Sequence, residues 1–225
     1  MLNLNRITLI GRLAQDLELR YTPSGLAVVS GTLHGLDQVC VAGQSKEVAW
    51  YHRFEAYGPV ADYALSLPST GAGLALALDA TLDYQEWQSE AGKGHALKIK
   101  ALQLAPLDVA GDEVLGLNQG SFSGFTGQAA RVRQTREGPA LDLRLAVTDR
   151  WVNKQGQTQS KTHWLPVVLP PSLAGRFDEV PAGTPLLIQG RLFNDKVGEQ
   201  RVLKVLASQA EWLSKVRAVS QQAAD

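Results

Sequence analysis

The side chains best placed to do chemistry in this sequence are aromatic and cationic. In Trp50-Tyr51-His52-Arg53-Phe54-Glu55-Ala56-Tyr57, strand alternation puts Tyr51, Arg53, Glu55 and Tyr57 on one face and Trp50, His52, Phe54 and Ala56 on the other. The second set reads as core with one polar member, the first as outer surface. Rings interleaved with a cation offer π-faces on which unpaired bases stack, at ~1–3 kcal/mol per base, while arginine adds phosphate or cation–π contact. Further along, Leu76, Leu78, Ala80 and Leu82 share one face, leaving Thr81, Asp83 and Trp87 outward. Trp87 stands beside a hairpin tip at Ser89–Gly94 with little core to join. A second group comprises Arg150, Trp151, Lys154 and Lys161 around a polar loop, with Trp164, Arg191 and Phe193 on neighbouring strands. One strand aromatic more often packs than binds, so the weight rests on the pattern across both groups.

Enzymatic chemistry finds no comparable constellation. The four histidines are scattered, no HxxxH pair occurs, and the single cysteine, Cys40, precludes a CxxC motif. Gly120-Ser121-Phe122-Ser123-Gly124 has the spacing of a nucleophile elbow, but Phe122 stands where the nucleophile would be. There is no GxxxxGK[ST] phosphate loop. The expectation is a non-enzyme with no metal and no cofactor.

Composition sets the frame for these residues. The chain has 225 residues, of which 44% are hydrophobic and 20% charged, a balance that can build one large or two small cores. No apolar run approaches the ~18 residues that would span a bilayer, and the N-terminus lacks the pattern of a signal peptide. One cysteine suits a reducing, cytosolic setting. Net charge is zero, unusual for a polyanion binder, but it is unevenly spread. Residues 1–110 carry 8 basic and 11 acidic groups (−3), whereas residues 111–225 carry 14 and 11 (+3). The phosphate term therefore belongs mainly to the second half.

The elements that must hold these residues are written twice. Short alternating segments with Gly and Pro punctuation predict an all-β protein, and the order recurs. A strand bending at Gly11 has a counterpart ending at Gly127, a displacement of 116. An aromatic strand follows in each copy (Trp50–Phe54, His163–Val167), then a Pro-led helical segment (Pro59–Leu67, Pro171–Phe177), where proline is tolerated at the first turn. Apolar strands around Leu82 and Leu192 and closing Leu-Lys-β-branched triplets at Leu97 and Leu203 are displaced by 110 and 106. Five strands with a helix between the third and fourth describe an OB-fold, a small partly open barrel. The prediction is two tandem OB-folds with short helices: residues 1–106, a linker at 107–121, residues 122–213, and a tail at 214–225.

The stretch Asn5-Arg6-Ile7-Thr8-Leu9-Ile10-Gly11-Arg12-Leu13 onward to Val28, Trp50-Tyr51-His52-Arg53 and Leu82-Asp83-Tyr84-Gln85-Glu86-Trp87 resemble segments of bacterial single-stranded DNA-binding proteins. Two domains in one chain are similar to the Deinococcus–Thermus form. The resemblance implies sequence-tolerant binding of single-stranded DNA in replication, repair or recombination, by a homodimer presenting four OB-folds. It places Tyr51, Arg53, Tyr57 and Trp87 on DNA-contacting positions, and Trp151 and Trp164 on stacking positions of the second copy. Leu17 and Ala80 depart from the family's usual proline and glycine, and the first copy has no aromatic between Leu33 and Val41. The family's flexible Gly/Pro-rich segment with an acidic tip is not found before Asp225, so enzyme recruitment through such a tip is not expected. Zero net charge, with Pro166 and Pro170 where the first copy has Arg53 and Tyr57, motivates the alternative of a tandem OB scaffold for a protein partner.

Overall fold

The protein is described by a computed structural model covering residues 3–41, 44–67, 69–89, 92–109, 116–153, 155–177 and 180–213. The first unit contains β1 (Asn5–Leu13), β2 (Glu18–Tyr21), β3 (Ala27–Val41), β4 (Gln44–Tyr57), α1 (Pro59–Leu65), β5 (Ala75–Ser89) and β6 (Gly92–Pro106). The second contains β7 (Leu117–Thr126), β8 (Arg131–Thr135), β9 (Gly138–Val152), β10 (Thr158–Leu169), α2 (Pro171–Ala174), β11 (Pro185–Val197) and β12 (Gln200–Trp212). In each unit five strands close on themselves, in the order β1-β5-β6-β4-β3 and β7-β11-β12-β10-β9, with short β2 and β8 flanking. Closure uses one parallel pair per barrel, β4–β6 and β10–β12. The all-β, tandem OB-fold expectation is met.

Strand alternation produces the cores. β1 buries Asn5, Ile7, Leu9, Gly11 and Leu13 and turns the intervening residues outward, and Leu76, Leu78, Ala80 and Leu82 of β5 are all fully covered. Trp50, His52, Phe54 and Ala56 of β4 are likewise buried. Both helices begin at proline, as expected, but are shorter than predicted. Each barrel carries a bulge at the same place, opposite Asp79/Ala80 and opposite Gln189/Gly190, which strengthens the local twist needed to close a small barrel.

Closure also corrects the alignment of the two copies. β1 must pass from β5 to β3, and it does so at Gly11, where a Cβ would collide with the carbonyl oxygen of His34. The residue in the same place in β7 is Gly124, whose Cβ would meet the carbonyl of Ala146. Asn5 and Asn118 agree with this: each side chain brackets the backbone of the matching leucine, Leu82 (2.9 and 3.0 Å) and Leu192 (2.8 and 2.9 Å). The displacement at this strand is therefore 113, not 116. Two glycines three residues apart make the strand end ambiguous in sequence. Strand β7 begins at Leu117, so residues 117–121, expected in the linker, are ladder residues.

β1 and β7 then pair with each other, antiparallel, from Asn5↔Phe122 to Ile10↔Leu117. The two barrels thereby form one twelve-stranded sheet. Equivalent strands paired antiparallel define a pseudo-two-fold axis. With the 113-residue displacement it passes through the pair Ile7↔Gly120.

Candidate nucleic-acid interface

Beside this axis the barrels enclose an open cleft of about 1120 Å³. Its walls include Trp87, His95 and Arg53 from the first barrel and Trp164, Arg144 and Arg201 from the second. Trp87 lies at the far end of β5, half exposed, directly opposite Gly94 on β6. A Cβ at Gly94 would run into the indole, so the bare backbone lets the ring lie flat along the hairpin. Trp164 lies beside Gly127, where a side chain would strike the edge of its six-membered ring. In both cases the absent side chain leaves room for a large ring outside the core.

The other predicted residues divide by location. Tyr51 is 57% exposed and stacks on His34, ring centroids 5.5 Å apart. Its carbonyl accepts a hydrogen bond from Asn194 Nδ2 (2.9 Å), which places it at the lip of the cleft. Arg53 lines the cleft but is bonded to Glu18 Oε2 and Ser30 Oγ, each at 3.0 Å. Tyr57 lies half-buried and donates its hydroxyl proton to Glu55, with Lys100 Nζ 5.8 Å from its ring centre. Burial and that carboxylate push the Tyr57 phenol up to about 12. Glu55, on the outward face as expected, is nonetheless buried. Burial alone would raise its pKa, yet bonds from Tyr57, Lys98 and Arg20 outweigh it and hold the carboxyl below its ordinary value. Trp151, 48% exposed, sits near the tip of the β9–β10 hairpin with exposed Arg150, away from the cleft. Phe193 is half-buried opposite Lys204. Lys154 falls outside the described residues.

Lys161 and Arg191, expected to contact phosphates, both stand at the seam between barrels. Lys161 is ion-paired with Asp83 of the other barrel. Arg191 reaches Asp37 across the seam at 3.5 Å and is mostly covered. Both positions are outward on their own strand, but each barrel's outer surface here faces its neighbour. The same geometry explains two buried histidines. His163 Nδ1 accepts from the Tyr84 amide (3.0 Å), and its Nε2 is 3.2 Å from Asp149. His52 Nε2 lies 3.3 Å from the Leu192 carbonyl and 3.2 Å from Asn118 Nδ2. Desolvation lowers the pKa of both, to about 4 for His52, so each is neutral at ordinary pH.

Sequence reasoning missed Arg131, Arg144 and Arg201, all exposed and all lining the cleft. Arg144 was within reach of it: alternation in Leu141-Asp142-Leu143-Arg144-Leu145 points it outward, on the strand beside Trp164. Arg131 is the first residue of β8 and Arg201 the second of β12, and only the closed fold brings them here.

The described geometry agrees with comparison to known proteins. Residues 4–106 and 117–213 match the profile of the Single-strand binding protein family. Over 94% of its length the chain is 34% identical to the single-stranded DNA-binding protein of Deinococcus radiodurans, covering 76% of that protein. It is 33% identical to that of Thermus aquaticus over 85% of the chain and 76% of the relative. The crystal structure of the wild-type Thermus aquaticus protein superposes with a TM-score of 0.79 at 30% identity, covering 97% of each chain. Two matched segments, each coinciding with one closed barrel, establish that this chain belongs to the single-strand binding protein family.

Proposed function

We propose that this protein binds and covers single-stranded DNA without marked sequence preference, as a non-enzymatic factor in replication, repair or recombination. The observation that carries this reading is the pair of indoles, Trp87 and Trp164, held against glycine backbone in a cleft whose walls also carry arginines. Stacking rings serve any base, and guanidinium groups serve the phosphates between them. Tyr51 extends the stacking surface at the lip, and Trp151 with Arg150 offers a second, outlying platform. Tyr57 acts through Glu55, holding the carboxylate that fixes Arg20 and Lys98. Arg191 and Lys161 brace the two barrels rather than touch DNA. Residues 1–106 and 117–213 act as the two OB-folds joined by the segment between them, and two chains together present four OB-folds. The protein works in the cytoplasm; among the described residues no helix is long and apolar enough to cross a membrane.

Titration with oligo-dT, followed by tryptophan emission at two salt concentrations, tests the proposal. Strong quenching and an affinity that falls as salt rises are expected. Unchanged emission at saturating oligo-dT, with no gel shift at low salt, would overturn it.

A further inference from the structure

The cleft is built on the pseudo-two-fold axis, so the same structural positions of each barrel face one another across it. Leu97 and Leu203, displaced by 106, both line it. So do His95 and Arg201 at the same displacement, Tyr84 and Asn194 at 110, and Arg53 and Pro166 at 113. Comparing these pairs shows how charge has been redistributed between the copies. In the first barrel Arg53 of β4 lies opposite Thr32 of β3, and Glu18 of β2 opposite Ser30. In the second, Pro166 of β10 lies opposite Arg144 of β9, and Arg131 of β8 opposite Asp142. The cation of Arg53 has therefore moved across one rung of the ladder, to Arg144. The carboxylate of Glu18, which neutralises Arg53 in the first barrel, is replaced by the guanidinium of Arg131 in the second. Asp142 is engaged by Arg133 at 3.3 Å. Among the described residues, none of Arg131, Arg144 and Arg201 has an ion pair, whereas Arg53 has one.

We infer that the cleft is a single composite site for one DNA strand, in which Arg131, Arg144 and Arg201 of the second barrel hold the phosphates while Trp87 of the first barrel and Trp164 of the second stack the bases. This rests on the proposal that the protein binds single-stranded DNA. It goes further in assigning the phosphate contacts to three arginines and in denying that the barrels are independent sites. The net acidic first barrel and basic second barrel are then two walls of one site. Glu18 is an internal competitor that keeps Arg53 from contributing a full phosphate contact.

The test uses the full chain and an oligo-dT of about 10 nucleotides, within the ~4–16 nucleotides that one OB-fold covers. One oligonucleotide per chain is expected, quenching the emission of both Trp87 and Trp164, as read from Trp87→Phe and Trp164→Phe variants. In longer oligo-dT the triple variant Arg131→Ala, Arg144→Ala, Arg201→Ala should lower the slope of log affinity against log salt by about 2, at ~0.7 per lost single-strand contact. Arg53→Ala should change it by less than one contact, and Glu18→Gln should raise low-salt affinity. The charged residues replaced here are all exposed, and an unchanged melting temperature confirms folding. Two oligonucleotides per chain that quench the two indoles independently, or a triple variant with the parent's salt slope, would overturn the composite site while leaving DNA binding intact. Absence of any binding by the parent protein would instead overturn the underlying proposal, and the composite site with it.

Discussion

At the scale of residues, stacking and charge make separable contributions. Replacing Tyr51 or Trp87 by alanine removes a ring but no charge, so affinity for oligo-dT should fall by ~1–3 kcal/mol per base platform with the salt slope nearly unchanged. A slope that falls in parallel with affinity would show these rings to be incidental to a purely ionic contact. Gly94→Val leaves every ring and charge in place but puts a branched side chain where the indole of Trp87 lies. Weaker binding together with an altered Trp87 emission spectrum is expected from that variant. Lys161→Ala should behave differently from a surface cation. Its partner Asp83 is largely covered in the seam beside His163, so a loss of about 1–2 kcal/mol of stability is expected. A denaturant melt reads that loss, whereas the salt slope should not move. Alternation alone could show that these side chains leave their own strands outward. It could not show that a second barrel would meet some of them, which is why Arg191 and Lys161 read as phosphate contacts in sequence, whereas the structure pairs each with an aspartate of the other barrel.

At the scale of elements, the bend that closes each barrel leaves no room for a side chain. Gly11→Ala forces a methyl group against the His34 carbonyl, and Gly124→Ala does the same at Ala146. Each should cost ~1–3 kcal/mol, as overpacking does, and thermal melts of the two variants measure it. The pattern of strands, the helices opening at Pro59 and Pro171, and the inward faces of β4 and β5 were legible because period-two burial is a local property of the chain. The register between copies was not. Gly124 and Gly127 are both plausible bends in isolation, and only the hydrogen bonds of Asn5 and Asn118 to matching leucines decide between them. The cleft was legible in part: Trp87, Trp164 and Arg53 were found from strand faces, whereas Arg131 and Arg201 stand at strand starts whose place beside the cleft is set only by closure of the barrel.

At the scale of the whole molecule, the two barrels share a sheet and a polar seam, so acid should act on both together. His52 is neutral in the folded protein down to about pH 4, while in the unfolded chain it takes up a proton near its ordinary value of 6.5. Between those values the unfolded state binds more protons, so stability is fully present above pH 6.5 and declines toward pH 4, by on the order of 3 kcal/mol for this residue. His163 is shifted in the same sense. Asp37, whose carboxyl burial raises, works the opposite way nearer pH 4. Melting temperature should therefore fall on acidification through this window, and the fall should be shallower in His52→Gln. An unaltered profile in that variant would remove His52 from the account. The axis through Ile7 and Gly120 carries one more consequence. A two-fold operation reverses direction, whereas a nucleic-acid chain runs 5′ to 3′ and is not its own reverse. A strand crossing the cleft must enter one barrel in the sense opposite to that in which it enters the other. Under the composite-site proposal, two identical barrels would meet a straight strand in opposite orientations, whereas two copies within one chain are free to differ in sequence, each to suit its own direction.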